Sequence, residues 1–82
     1  MATSLRSLHH PTAKAIAEAI KKAREGVHPV VSQRELAARL EWPHSVIGMI
    51  ESGQRHVRVV ELIAIAKALG VPPEKLFRLC LS

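Results

Sequence analysis

Metal binding and nucleophilic catalysis are the first chemistries to test against the residues. Five histidines (His9, His10, His28, His44 and His56) and Cys80 are the candidate ligands. They lack the paired spacing of a zinc site, and there is no Cys-x-x-Cys, so no metal is expected. No glycine-rich phosphate loop, no Ser–His–Asp set and no carboxylate pair stands out, which excludes an enzyme and leaves no cofactor to hold. The remaining chemistry is recognition. Lys and Arg number 12 against 7 acidic residues, for a net charge of +5 over 82 residues. With a pI near 10.2, so small a chain is suited to a polyanionic partner. A basic, polar run follows Gly53: Gln54, Arg55, His56 and Arg58. Just before it, His44, Ser45, Gly48, Met49 and Ser52 fall together at helical spacing. Single-strand binding would want stacking aromatics, and Trp42 and Phe77 are the only aromatic residues.

These residues must be positioned by helices. Apolar residues make up 48% of the chain, chiefly Ala, Leu, Val and Ile, and an Ala/Leu-rich core with few aromatics favours helix over sheet. The expected architecture is all-α: five helices in one domain over residues 12–82, preceded by a flexible arm at 1–11. Thr12 caps a first helix that buries Ile16, Ile20 and Ala23 and stops at Gly26. Pro29 breaks the chain, with Val27, Val30 and Val31 tucked beneath the next helix. Ser32 and Glu35 have the spacing of a capping box, and Leu36, Ala37 and Leu40 face inward. After Trp42-Pro43, a short helix presents Val46, Ile47 and Ile50 to the core until Gly53. A fourth helix starts at Val59 with Leu62, Ile63, Ala66 and Leu69 inward and ends at Gly70. Pro72-Pro73 opens the fifth, which carries Leu76, Phe77, Leu79 and Cys80.

The second and third helices, joined by a tight turn, form a helix-turn-helix. Ile47 and Ile50 turn one face of the third helix inward, so His44, Ser45, Gly48, Met49 and Ser52 must point outward. Solvated faces are usually charged, and three of these five residues are small or apolar. Gly48 in mid-helix costs about 0.5–1 kcal/mol against Ala, which suits a close approach. Arg58 stands at a helix start, where a cation opposes the macrodipole unless an anion lies nearby.

Between Val31 and Phe77 the chain resembles the DNA-binding domain of phage lambda repressor and Cro, the xenobiotic-response-element family. The residues that carry the resemblance are Ser32-Gln33, Glu35-Leu36-Ala37, Leu40, Ile47, Ile50-Glu51-Ser52-Gly53 and Ile65-Ala66-Lys67-Ala68-Leu69-Gly70-Val71. Pro43-His44-Ser45-Val46 looks like a subgroup of short bacterial regulators. The resemblance implies a homodimeric, sequence-specific transcription regulator, a repressor by expectation, on double-stranded DNA. It places His44, Ser45, Gly48 and Met49 against the bases: His44 donating to guanine, Ser45 donating or accepting, Met49 on a thymine methyl. It places Gln33, Ser52, Gln54, Arg55, His56 and Arg58 on the phosphate backbone. Trp42 packs across the turn with its indole N–H toward a phosphate. It also implies an ion pair between Arg24 and Glu51.

Three departures stand beside the match. Glu41 replaces the usual glycine of the turn, at about 1–2 kcal/mol if the backbone there is left-handed. The link after the first helix is longer than usual. Ser32–Gly53 carries Arg34 and Arg39 against Glu35, Glu41 and Glu51, so the reading unit is not basic. Two other readings therefore stay open: an interaction module that keeps the fold without binding DNA, and an antitoxin that represses its own operon. The last helix is expected to form the dimer contact through Leu79, Cys80 and Leu81, giving a near-palindromic operator. No apolar run approaches the roughly 18 residues of a membrane span, the start MATSLRSLHH is not a secretory signal, and one Cys fits a reducing compartment. No membrane and no small-molecule ligand is expected, and the expected location is the cytoplasm.

Overall fold

Ile16, Ile20 and Ala23 recur at helical spacing, and the first helix forms around them. The structure is a computed structural model that describes residues 13–81. It contains α1 (Ala13–Gly26), α2 (Gln33–Leu40), α3 (Ser45–Glu51), α4 (Val59–Leu69) and α5 (Pro73–Leu81). The expected arm at 1–11, with His9 and His10, and the cap at Thr12 lie outside the described residues.

Local chemistry sets the helix ends. Ser32 Oγ accepts from the Glu35 N–H at 3.0 Å, which satisfies one of the free amides at the start of α2. The expected reciprocal half of the box does not form. The Glu35 carboxylate accepts instead from Arg39 Nη2, one turn on, at 2.8 Å. α4 ends at Gly70, whose φ of 74° is left-handed. There the Gly70 and Val71 N–H groups donate to Lys67 and Ala66 carbonyls. α2 ends in the same motif on Glu41, at φ 59° and ψ 36°, with Glu41 N–H donating to Ala38 and Trp42 N–H to Ala37. The turn thus keeps a glycine-type backbone without glycine.

Ile20, Leu36, Ile47, Ile50, Ile65 and Leu76 are all under 2% exposed and form the centre of the core. α1 packs against α3, α4 and α5, α2 lies against α3 and α4, and α4 against α5. Ala37, at 0% exposure, leaves room for close approach between α2 and its neighbours. Three expectations are corrected by packing. Val30 is 56% exposed, and only Val31 is fully covered. On α4 the inner stripe is Leu62, Ile65, Ala66 and Leu69, with Ile63 at its half-buried edge. On α5, Cys80 is 7% exposed and belongs to the core and not to the outer surface of the helix. Leu79 and Phe77 are half-buried against that core, and Leu81 is 71% exposed. Among the described residues no helix is long and apolar enough to cross a membrane.

Candidate nucleic-acid interface

α3 is short, and two isoleucines hold it. Ile47 and Ile50 are buried to 1% exposure or less, so the opposite side faces outward. His44, Ser45 and Met49 are exposed there, and Gly48 is half-buried. The His44 side chain makes no capping bond to α3, which leaves its imidazole available for an external partner. Ser52 Oγ donates to the Met49 carbonyl at 3.1 Å, so its hydroxyl can still accept but its proton is used.

One flank of α3 is tied to α1. Arg24 Nε and Nη2 donate to the two oxygens of Glu51 at 2.7 and 2.9 Å. Arg24 Nη1 donates to the Val31 carbonyl at 2.9 Å. The two side chains are 8% and 4% exposed, and the carboxylate holds the guanidinium pKa above its ordinary value. The longer link after α1 therefore does not shift Arg24 out of register, because its last residues supply the Val31 carbonyl that Arg24 grips.

Glu51 also accepts from Gln33 Nε2 at 2.9 Å. The Gln33 amide thereby lies over α3, and a Cβ on residue 48 would meet Gln33 Oε1 at 3.3 Å. A close approach to Gly48 exists, but it comes from within the molecule. Gln33 is exposed and still has a free amide hydrogen at the amino end of α2.

The other flank is tied to α4. Gln54 and Arg55 N–H groups both donate to the Met49 carbonyl, which folds the basic loop back on the end of α3. Arg55 Nη1 and Nη2 reach Glu61 Oε1 and Oε2 at 3.3 and 3.0 Å. The Arg55 guanidinium carbon lies 5.9 Å from the Trp42 ring centroid, within cation–π range. Glu61 accepts from the Arg58 N–H at 3.0 Å as well. Arg55, then the Arg58 N–H, hold the Glu61 carboxyl below the usual carboxylate range. Arg55, expected on a phosphate, is thus engaged by a carboxylate. Trp42 is half-buried in the turn beneath it, packed against the core.

Arg58 lies 3.8 Å from Glu61, with its side chain 80% exposed. Gln54 and His56 are exposed beside it. The anion that Arg58 required at a helix start is Glu61, which sequence reasoning passed over. The signal was available: Glu61 stands three residues after the residue preceding α4, the spacing of a cap. Among the described residues no three His, Cys, Asp or Glu side chains gather as metal ligands would.

A family model described as Helix-turn-helix matches residues 20–76. Among solved structures, the chain is similar to an XRE-family-like protein from Pseudomonas syringae pv. tomato, with 28% identity and a TM-score of 0.72 over 83% of this chain and 80% of that one. It is similar to the restriction-modification controller protein C.AhdI from Aeromonas hydrophila, with 30% identity and a TM-score of 0.66 over 79% of this chain and 96% of that one. It is similar to the restriction-modification controller protein C.Esp1396I, with 26% identity and a TM-score of 0.69 over 83% of this chain and 85% of that one. None of the curated proteins matches the chain significantly.

Proposed function

The chain belongs to the Helix-turn-helix family of DNA-binding transcription regulators, and from that premise we propose that it is a sequence-specific repressor that reads double-stranded DNA with α3. The observation that carries this reading is the outer face of α3. His44, Ser45 and Met49 are exposed on it, while Arg24–Glu51 and the Arg55–Glu61 pair fix the helix from either side. A face that is held from both sides and carries no Lys, Arg or Glu side chain suits base edges in a major groove. Gln33, Gln54, His56 and Arg58 border it and serve the phosphates, whereas the Ser52 hydroxyl proton is held by the Met49 carbonyl; repression follows from covering the operator.

The repressor works as a homodimer in the cytoplasm of a bacterial cell. Support for the dimer comes from Leu81, 71% exposed, beside a shallow apolar groove of about 210 Å³ lined by Ile16, Leu62, Phe77, Cys80 and Leu81. Leu79 and Leu81 remain the contact residues, and a twofold axis there gives half-sites about 10 base pairs apart. A non-DNA interaction module is the second reading, favoured by the net negative charge of Ser32–Gly53.

Titration of duplex DNA across salt concentrations separates the two. Arg58 is the one arginine assigned to a phosphate, so a dimer neutralises at least two, and the slope of log affinity against log salt should be about −2 or steeper. A flat response refutes DNA binding. Selection from a random duplex pool then tests the near-palindrome, and Met49→Ala should loosen preference at one base pair per half-site.

A further inference from the structure

Arg55 and Glu61 are six residues apart, on a loop and on the helix after it, yet they meet at two points. A two-point pair of guanidinium and carboxylate fixes direction as well as distance. Glu61 is only 12% exposed and Arg55 33%, so the contact is shielded on the carboxylate side. The Arg55 guanidinium also rests over the ring of Trp42, in the turn that precedes α3. Residues just before and just after α3 are therefore joined through Arg55, and Glu61 anchors the junction to α4. The same carboxylate takes the Arg58 N–H, which sets where the exposed Arg58 side chain begins.

We propose that Glu61 is a positioning residue for DNA binding: through Arg55 and Trp42 it holds the 54–58 loop and the end of α3 in the geometry that presents Arg58 to a phosphate. Arg55 is part of this brace and makes no ionic contact with DNA. The inference rests on the DNA-binding reading and assigns one residue within it.

The sign of the effect is diagnostic. An acidic side chain beside a phosphate-facing loop should weaken binding by charge alone, so its removal as a bystander would tighten the complex. As a positioning residue its removal loosens the complex.

The experiment compares the full chain with Arg55→Gln, Glu61→Gln, the double variant and Arg58→Gln. It uses the duplex selected for the wild type and a series of salt concentrations, with circular dichroism to confirm helix content. Arg55→Gln and Glu61→Gln should each weaken binding about fivefold per subunit with the salt slope unchanged. The double variant should be no weaker than either single one. Arg58→Gln should lower the slope by about 0.9 for each phosphate released.

Trp42 is the only tryptophan, so its fluorescence reports the brace without DNA. Acrylamide quenching should rise in Arg55→Gln and Glu61→Gln and stay constant in Arg58→Gln. Tighter binding by Glu61→Gln, or a slope in Arg55→Gln that falls as in Arg58→Gln, overturns the assignment. Unchanged Trp42 quenching in both brace variants overturns it independently of DNA. A wild-type chain that binds no duplex at any salt refutes the DNA reading itself and removes the positioning role with it.

Discussion

Replacing Arg24 by Met tests how far α3 depends on α1. The guanidinium makes three hydrogen bonds, two to Glu51 and one to the Val31 carbonyl. Both charged side chains are less than 10% exposed, so the pair is shielded from water and the discount for surface ion pairs does not apply. Without Arg24, the Glu51 carboxylate is left with Gln33 Nε2 as its single side-chain donor. Removing one partner of a buried pair costs about 3–5 kcal/mol. The lower end applies here, because a cleft lined by Lys14, Glu18, Glu51 and Gly53 lets water reach the orphaned carboxylate. A loss of about 3 kcal/mol is a large share of the stability of so small a domain. It should lower the thermal midpoint by about 15 °C, at about 4–8 °C per kcal/mol.

The assay is thermal unfolding followed by circular dichroism at neutral pH. Arg24→Met combined with Glu51→Leu should recover most of the loss, since an apolar pair leaves no buried charge. A midpoint drop of less than about 4 °C for Arg24→Met would mean that the pair behaves as an exposed one. That result would refute the claim that it fixes α3.

The Glu61 carboxyl is held below its ordinary value of 4.5, first by Arg55. A depressed native pKa contributes stability that is complete above the unfolded value and disappears as pH falls through the native one. Acid unfolding below about pH 4.5 should therefore be less steep in Glu61→Gln than in the wild type, as measured by chemical denaturation at stepped pH. Glu41→Gly should raise stability by about 1 kcal/mol in the same assay, because it relieves a left-handed non-glycine residue; unchanged or lower stability would mean that the turn costs nothing. Burial pushes the Cys80 thiol up, so it should react slowly with a thiol reagent until denaturant is added, and mild oxidation should give no cross-linked dimer on a reducing-agent-free gel. Leu81→Glu should shift sedimentation toward the monomer.

The sequence alone determined the helices and the outward face of α3. Periodicity of three and four placed Ile20, Leu36, Ile47, Ile50 and Leu76 inside, and Ser32, Gly53, Gly70 and Pro73 marked ends, because caps and turns act over neighbouring residues. The left-handed Glu41 was legible for the same reason, and the Arg24–Glu51 pair through a resemblance. Tertiary structure decided the rest. At about 100° per residue Ile63 and Ile65 lie on opposite flanks of the stripe formed by Leu62, Ala66 and Leu69, so which of them is covered depends on the angle at which α4 crosses its neighbours. Cys80 and Leu81 are adjacent in sequence, and only the seating of α5 on α1 and α4 hides one and exposes the other. Gly48 reads as room for DNA until α2 brings Gln33 across it. Arg55 reads as a free cation until α4 swings Glu61 beneath it. Charge pairing depends on distances between elements, and packing of the core sets those distances.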